Sequence, residues 1–70
     1  MFQKTSFREG DRVTARMTLP PIKAGMVGTI QRVFLSVIDL YDVQFDDLMH
    51  PYILRGHQLA LLERKDEPPA

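Results

Sequence analysis

The 70-residue chain predicts an all-β domain, a single small barrel of five strands. Short alternating stretches recur along it, around Val13, Ile30, Val43 and Leu54, each set off by glycine, proline or aspartate turn signals. No stretch of helical length carries the apolar spacing of a helix. There is no cysteine, so neither a disulfide framework nor a thiolate metal site can stabilise the fold, which must rest on packing, with oligomerisation as a further source.

Residues 1–6 are polar and short and read as a flexible arm. Gly10-Asp11 is a turn signal, and the first strand is expected from Arg12 to Met17. Its period places Val13, Ala15 and Met17 on one face and Arg12, Thr14 and Arg16 on the other. Leu19 to Ala24 reads as a loop, because Pro20-Pro21 removes two donors and fixes φ. Gly25 closes it, and the second strand begins near Met26. Gly28 lies inside a β-branched stretch and marks a bulge or a close backbone approach. Ile30 and Val33 are core candidates with Gln31 outward, and their odd spacing requires a bulge.

Tyr41, Val43 and Phe45 alternate with Asp42, Gln44 and Asp46 in the third strand. A fourth strand covers Tyr52 to Arg55. Gly56-His57-Gln58 suits a 3₁₀ turn, and a last strand runs from Leu59 to Glu63. Residues 64–70 are charged and end in prolines, so a disordered tail is expected after a barrel spanning 7–63.

Composition narrows the class. With 44% hydrophobic and 26% charged residues the chain is globular rather than disordered. Residues 1–6 hold no apolar leader, and no apolar run approaches the roughly 18 residues of a membrane span, so a cytosolic protein is expected. The net charge is zero but uneven: residues 1–35 carry six cations and two anions, residues 36–70 three cations and seven anions. Such asymmetry marks either a basic binding face or solvated faces that neutralise one another across a sheet.

The elements add up to an SH3-like barrel. Phe7-x-x-Gly10-Asp11-x-Val13, the proline loop, Gly25-x-x-Gly28-Thr29-Ile30, Tyr41-x-Val43-x-Phe45 and Leu59-x-x-Leu62-Glu63 together resemble an electron-transport accessory group of such barrels. That group includes the barrel domain of nitrile hydratase β subunits, one of the small subunits of photosystem I and the variable chain of ferredoxin–thioredoxin reductase; nitrogenase accessory proteins of the Nif Z type are similar. The resemblance implies a non-catalytic partner that packs beside a redox or metal enzyme. The matching positions are turns and core residues, which report fold more than function.

Candidate chemistry is sparse. Ser6 and Ser36 lie in no activating context, and no nucleophile elbow is present. His50 and His57 lack the further ligands a metal needs. Asp42, Asp46 and Asp47 read as a solvated acidic edge that discourages strand pairing. Gly25-Met26-Val27-Gly28 lacks the lysine of a phosphate loop. The corresponding stretch of a barrel-shaped dihydrofolate reductase family reads Val-Gln-Ile-Tyr, which Tyr52-Ile53-Leu54-Arg55 does not match. No catalytic, cofactor or metal residue is assigned, and no small-molecule substrate is expected. Gly10, Gly25 and Gly28 are assigned turn or close-packing roles.

Two binding surfaces remain. Arg12 and Arg16 share a strand face that Lys23 extends, and the Gly25–Gly28 segment resembles the KOW element of ribosomal and transcription-factor barrels. That resemblance implies RNA or protein binding, with phosphates meeting the basic face. Against it, three of the six aromatic residues, Phe7, Tyr41 and Phe45, are expected in the core, which leaves little for a stacking platform. The second surface is the connection Val33 to Leu40, almost wholly apolar where turn residues belong. Either it caps the barrel mouth, or Phe34, Leu35, Val37 and Ile38 form an exposed patch for a protein partner or a homo-oligomer. The leading expectation is a non-catalytic interaction or accessory module, and the alternative a KOW-like nucleic-acid binder.

Overall fold

The computed structural model describes residues 7–34 and 38–64. Strands β1 (Arg12–Ala15), β2 (Val27–Phe34), β3 (Leu40–Phe45), β4 (Tyr52–Arg55) and β5 (Leu59–Glu63) are antiparallel neighbours in one sheet, ordered β4-β3-β2-β1-β5. A 3₁₀ turn, Gly56–Gln58, precedes β5 directly. The all-β class, the five strands and the turn match the expectation. The sheet is not closed, however: β4 and β5 are its two ends and do not pair. No helix among the described residues is long and apolar enough to cross a membrane.

β1 stops two residues earlier than expected, and Met17 is 38% exposed rather than in the core. The chain leaves the strand after Ala15, and the next N–H, that of Arg16, donates to the Gln58 carbonyl at 2.9 Å. Leu19 and Ile22 then exchange two hydrogen bonds of 2.8 Å across the Pro20-Pro21 pair, whose peptide bond is cis. This tight loop delivers Ile22, not Met17, to the core. Gly25 closes the loop at φ +92°, a conformation that suits glycine, and its N–H reaches the Ala15 carbonyl at 2.8 Å.

The β2–β3 register shifts between Ile30 and Arg32, so Gln31 is the extra residue of a bulge. That shift turns Ile30 fully and Val33 partly toward the core, while Gln31 stays exposed. Gly28 is a close approach and not the bulge itself: a Cβ there would lie 2.9 Å from the Gln44 carbonyl oxygen and from Val43 Cγ1.

The core holds Val13, Ala15, Ile22, Ile30, Tyr41, Val43, Phe45, Leu54, Leu59 and, from outside the sheet, Phe7. The Phe7 ring meets Tyr41 edge-on at 5.1 Å, and its N–H donates to the Tyr41 hydroxyl at 3.3 Å. A second anchor is Asp11, 1% exposed, whose Oδ2 accepts from the Arg8 N–H at 2.9 Å and from Arg64 Nη1 at 3.4 Å. Gly10, at φ +92°, donates to the Ile30 carbonyl while Ile30 donates to that of Asp11, which fastens the turn to β2 beside the bulge. Arg64 thus joins the folded unit rather than the tail. The expected arm at 1–6 and the rest of the tail at 65–70 lie outside the described residues.

Candidate interaction surface

The register of β2, β3 and β4 sorts their side chains into rows. Val33, Tyr41 and Leu54 form one row, with Tyr41 and Leu54 in the core and Val33 packed against it. Alternation therefore points the flanking rows away from the core. One outward row is Phe34, Leu40 and Arg55; the next is Arg32, Asp42 and Ile53. Phe34 and Leu40 are half-buried, yet neither belongs to the core cluster or to the residues packed on it. Ile53 is 61% exposed, and Ile38, at the end of the β2–β3 hairpin, 41%. Phe34, Ile38, Leu40 and Ile53 thus bring apolar side chains together on the outer face of three strands.

This arrangement bears on the expected patch. Phe34 faces outward from its strand and Ile38 is exposed; Leu35 and Val37 lie outside the described residues. The sequence reading missed Ile53, because Tyr52, Ile53 and Leu54 are all apolar and a four-residue strand shows no period by itself. Leu40 and Ile53 join the patch only through the register.

Beside the patch the chain forms an open cleft of about 370 Å³, lined by Ile38, Asp39, Arg55, Gly56 and His57. Its wall is fixed from the core. The buried Tyr41 hydroxyl donates to Asp39 Oδ1, and the Gly56 N–H donates to the Asp39 carbonyl at 2.9 Å. A Cβ on Gly56 would collide with the Asp39 carboxylate, so the glycine permits this contact. The Arg55 N–H is taken by Gln58 Oε1 at 2.8 Å, and the Arg55 and His57 side chains are exposed. Among the described residues the lining sets the charged Asp39 and Arg55 and the His57 ring beside the apolar Ile38.

The expected basic face is divided. Arg12 donates through Nη1 and Nη2 to both carboxylate oxygens of Asp46, at 3.0 and 2.7 Å, and through Nη1 to Thr29 Oγ1 at 2.8 Å. The hydrogen bond from Arg12 holds the Asp46 carboxyl below its ordinary range, and reciprocally raises the guanidinium. Arg16 turns to the other end of β1, where Nη1 donates to the His57 carbonyl at 3.5 Å, and Lys23 is exposed in the proline loop. The structure therefore does not gather Arg12, Arg16 and Lys23 into one stripe.

The acidic residues separate as well, with Asp46 on Arg12 and Asp42 on the outer face between Arg32 and Ile53. Among the described residues no group of three or more histidine and acidic side chains is placed to hold a metal ion. Searches against protein-family models, curated proteins and solved structures gave no match, so the geometry of this face carries the functional argument.

Proposed function

We propose that the chain is a small non-catalytic protein-interaction module that docks through the outer face of β2, β3 and β4. The observation that carries the reading is the outward row assignment of Phe34, Leu40 and Ile53, with Ile38 exposed beside them. Full burial of one such side chain contributes about 1.5–3 kcal/mol, so covering even part of this group is enough to anchor a contact. The SH3-like resemblance supports the same reading, since the accessory barrels it points to pack beside larger enzymes, and a cytosolic setting goes with it. A nucleic-acid interface is less favoured, because the Arg12 guanidinium is already occupied by Asp46 and Thr29.

The test compares the wild type with Ile53→Asp, a change at an exposed position that leaves the core untouched. Each is immobilised and challenged with host extract, and a retained protein is then titrated into labelled domain. Retention lost in Ile53→Asp, with amide shifts at Arg32–Phe34, Leu40–Asp42 and Ile53, is the expected result. Equal retention by both chains overturns the reading. Oligonucleotide-induced shifts at Arg12, Thr14, Arg16 and Lys23 that fade steeply with salt would replace it with the nucleic-acid alternative.

A further inference from the structure

We infer that the occupant of this face is a second copy of the chain, related by a two-fold axis running along the diagonal from Leu40 to Ile53. The inference rests on the docking reading above and adds the identity of the partner. Its first support is charge. On the outer face the apolar group is bordered by the cations Arg32 and Arg55 and the anion Asp42. Among the described residues the ion pairs are Arg12–Asp46 and Arg64–Asp11, so neither Arg55 nor Asp42 has an ion-pair partner there. A border carrying both signs suits its own copy better than a strongly acidic or basic partner. The whole chain also has zero net charge and a pI near 6.7, so two copies meet near neutral pH without long-range repulsion.

The second support is geometric. Neighbouring strands lie about 4.8 Å apart, and successive outward residues on one strand about 7 Å apart. On that grid Leu40 and Ile53 are diagonal neighbours, with Asp42 to one side of the line joining them and Arg55 to the other. A two-fold axis along this line stacks the two outer faces with their strands crossing at about 70°, nearer the orthogonal than the aligned mode of sheet packing. It places Leu40 against its equivalent and Ile53 against its equivalent. It also carries Asp42 of each copy to within reach of Arg55 of the other, and Phe34 onto the Ile38–Asp39 turn. Both unpaired charges then find partners, and the apolar group is covered.

The experiment uses charge reversal in two separate chains. The wild type is followed by sedimentation equilibrium and light scattering from micromolar to millimolar concentration. Arg55→Asp and Asp42→Arg are measured singly and as an equimolar mixture, with circular dichroism confirming that each is folded. In either variant two like-charge contacts replace two attractive ones, whereas the heterodimer regains both as Asp–Arg pairs. We expect a wild-type dimer, a weakening of at least about tenfold in each single variant, and recovery in the mixture. A wild type that stays monomeric at millimolar concentration overturns the second copy and leaves the face to a different protein. A dimer indifferent to Ile53→Asp and to both reversals overturns this inference, because association then uses another surface, while the docking reading falls only with equal retention of host protein by the wild type and Ile53→Asp. Weakened single variants that do not recover on mixing overturn the proposed axis.

Discussion

Replacing Gly28 by alanine is the sharpest probe of the β2–β3 register on which the outer face depends. The new methyl would lie 2.9 Å from the Gln44 carbonyl oxygen, 2.9 Å from Val43 Cγ1 and 3.0 Å from Phe45 Cδ1. All three contacts are closer than carbon normally tolerates, and none can yield easily. The carbonyl belongs to the β3 backbone, and Val43 and Phe45 are both 0% exposed. Overpacking of this kind costs about 1–3 kcal/mol. Restricting the unfolded chain by exchanging glycine for alanine returns about 0.4–1 kcal/mol, so the net loss centres on about 1.3 kcal/mol. For a domain of this size each 1 kcal/mol moves Tm by roughly 4–8 °C. Thermal unfolding by circular dichroism should therefore show a fall of about 5–10 °C, and a larger one for Gly28→Val. Gln31→Ala, at the exposed bulge residue, serves as a control and should change stability by less than about 0.5 kcal/mol. A Tm for Gly28→Ala equal to or above the wild type would refute the register, and with it the assignment of Phe34, Leu40 and Ile53 to one face.

Two further outcomes follow from the anchoring side chains. Asp11→Ala leaves the Arg8 N–H and the Arg64 guanidinium without the buried carboxylate they share, which should cost about 1–3 kcal/mol in urea unfolding; Arg64→Ala, which removes a partly exposed 3.4 Å contact with Asp11 and leaves the Arg8 bond in place, should cost less. Asp46 has a lowered folded-state pKa, so its contribution is complete above the unfolded value near 3.8 and disappears as pH falls through the lower folded value. The Tm difference between wild type and Asp46→Asn should accordingly be constant from pH 7 to about pH 5 and close below about pH 4. Because the pair is exposed the difference should be small and should shrink with added salt, and a difference that widens on acidification would contradict the sign.

The sequence reading was strongest where local rules act without competition. The bounds of β4, the 3₁₀ turn and β5 came from turn residues and short apolar runs, which is chemistry confined to a few neighbours. The same is true of the bulge, which the spacing of Ile30 and Val33 requires, and of the close approach at Gly28. It failed where distant segments decide. Met17 continues the alternation of β1, but the proline loop supplies Ile22 instead, and a loop residue between prolines and lysine carries no local mark of burial. Asp11 reads as an exposed turn residue until Arg64, 53 positions away, is seen to meet it. Arg12 stands apart: the uneven charge along the chain already favours neutralisation across the sheet by Asp42 or Asp46, and Asp46, 34 positions distant, does meet it. The candidate face was half legible: excess apolar residues between Val33 and Leu40 signalled that something lay outside the core, while Ile53 and the rows themselves depend on pairing.

The edges of the sheet explain why a face, rather than strand addition, is the natural route for association. An open sheet exposes two strand edges, each able to pair with another chain. At the β4 edge the Gly56–Asp39 hydrogen bond sets the phase of the ladder, so the even-numbered residues of β4 turn toward β3 and the odd-numbered ones turn outward. Of those outward groups, the Arg55 N–H is already taken by Gln58 Oε1, and Pro51, just before the strand, has no N–H to give. Of the donors on this edge an incoming strand would find only the Ile53 N–H, beside the outward carbonyls of Pro51 and Ile53. At the β5 edge the register slips between Arg12 and Val13, where Glu63 and Leu61 are the successive partners and Leu62 is the extra residue. A bulge there bends the edge away from a straight partner. With both edges blunted, the exposed apolar surface of β2–β4 is the part of the sheet still able to gain by being covered. A face-to-face contact of the kind inferred above satisfies it without extending the sheet, and so ends at two copies.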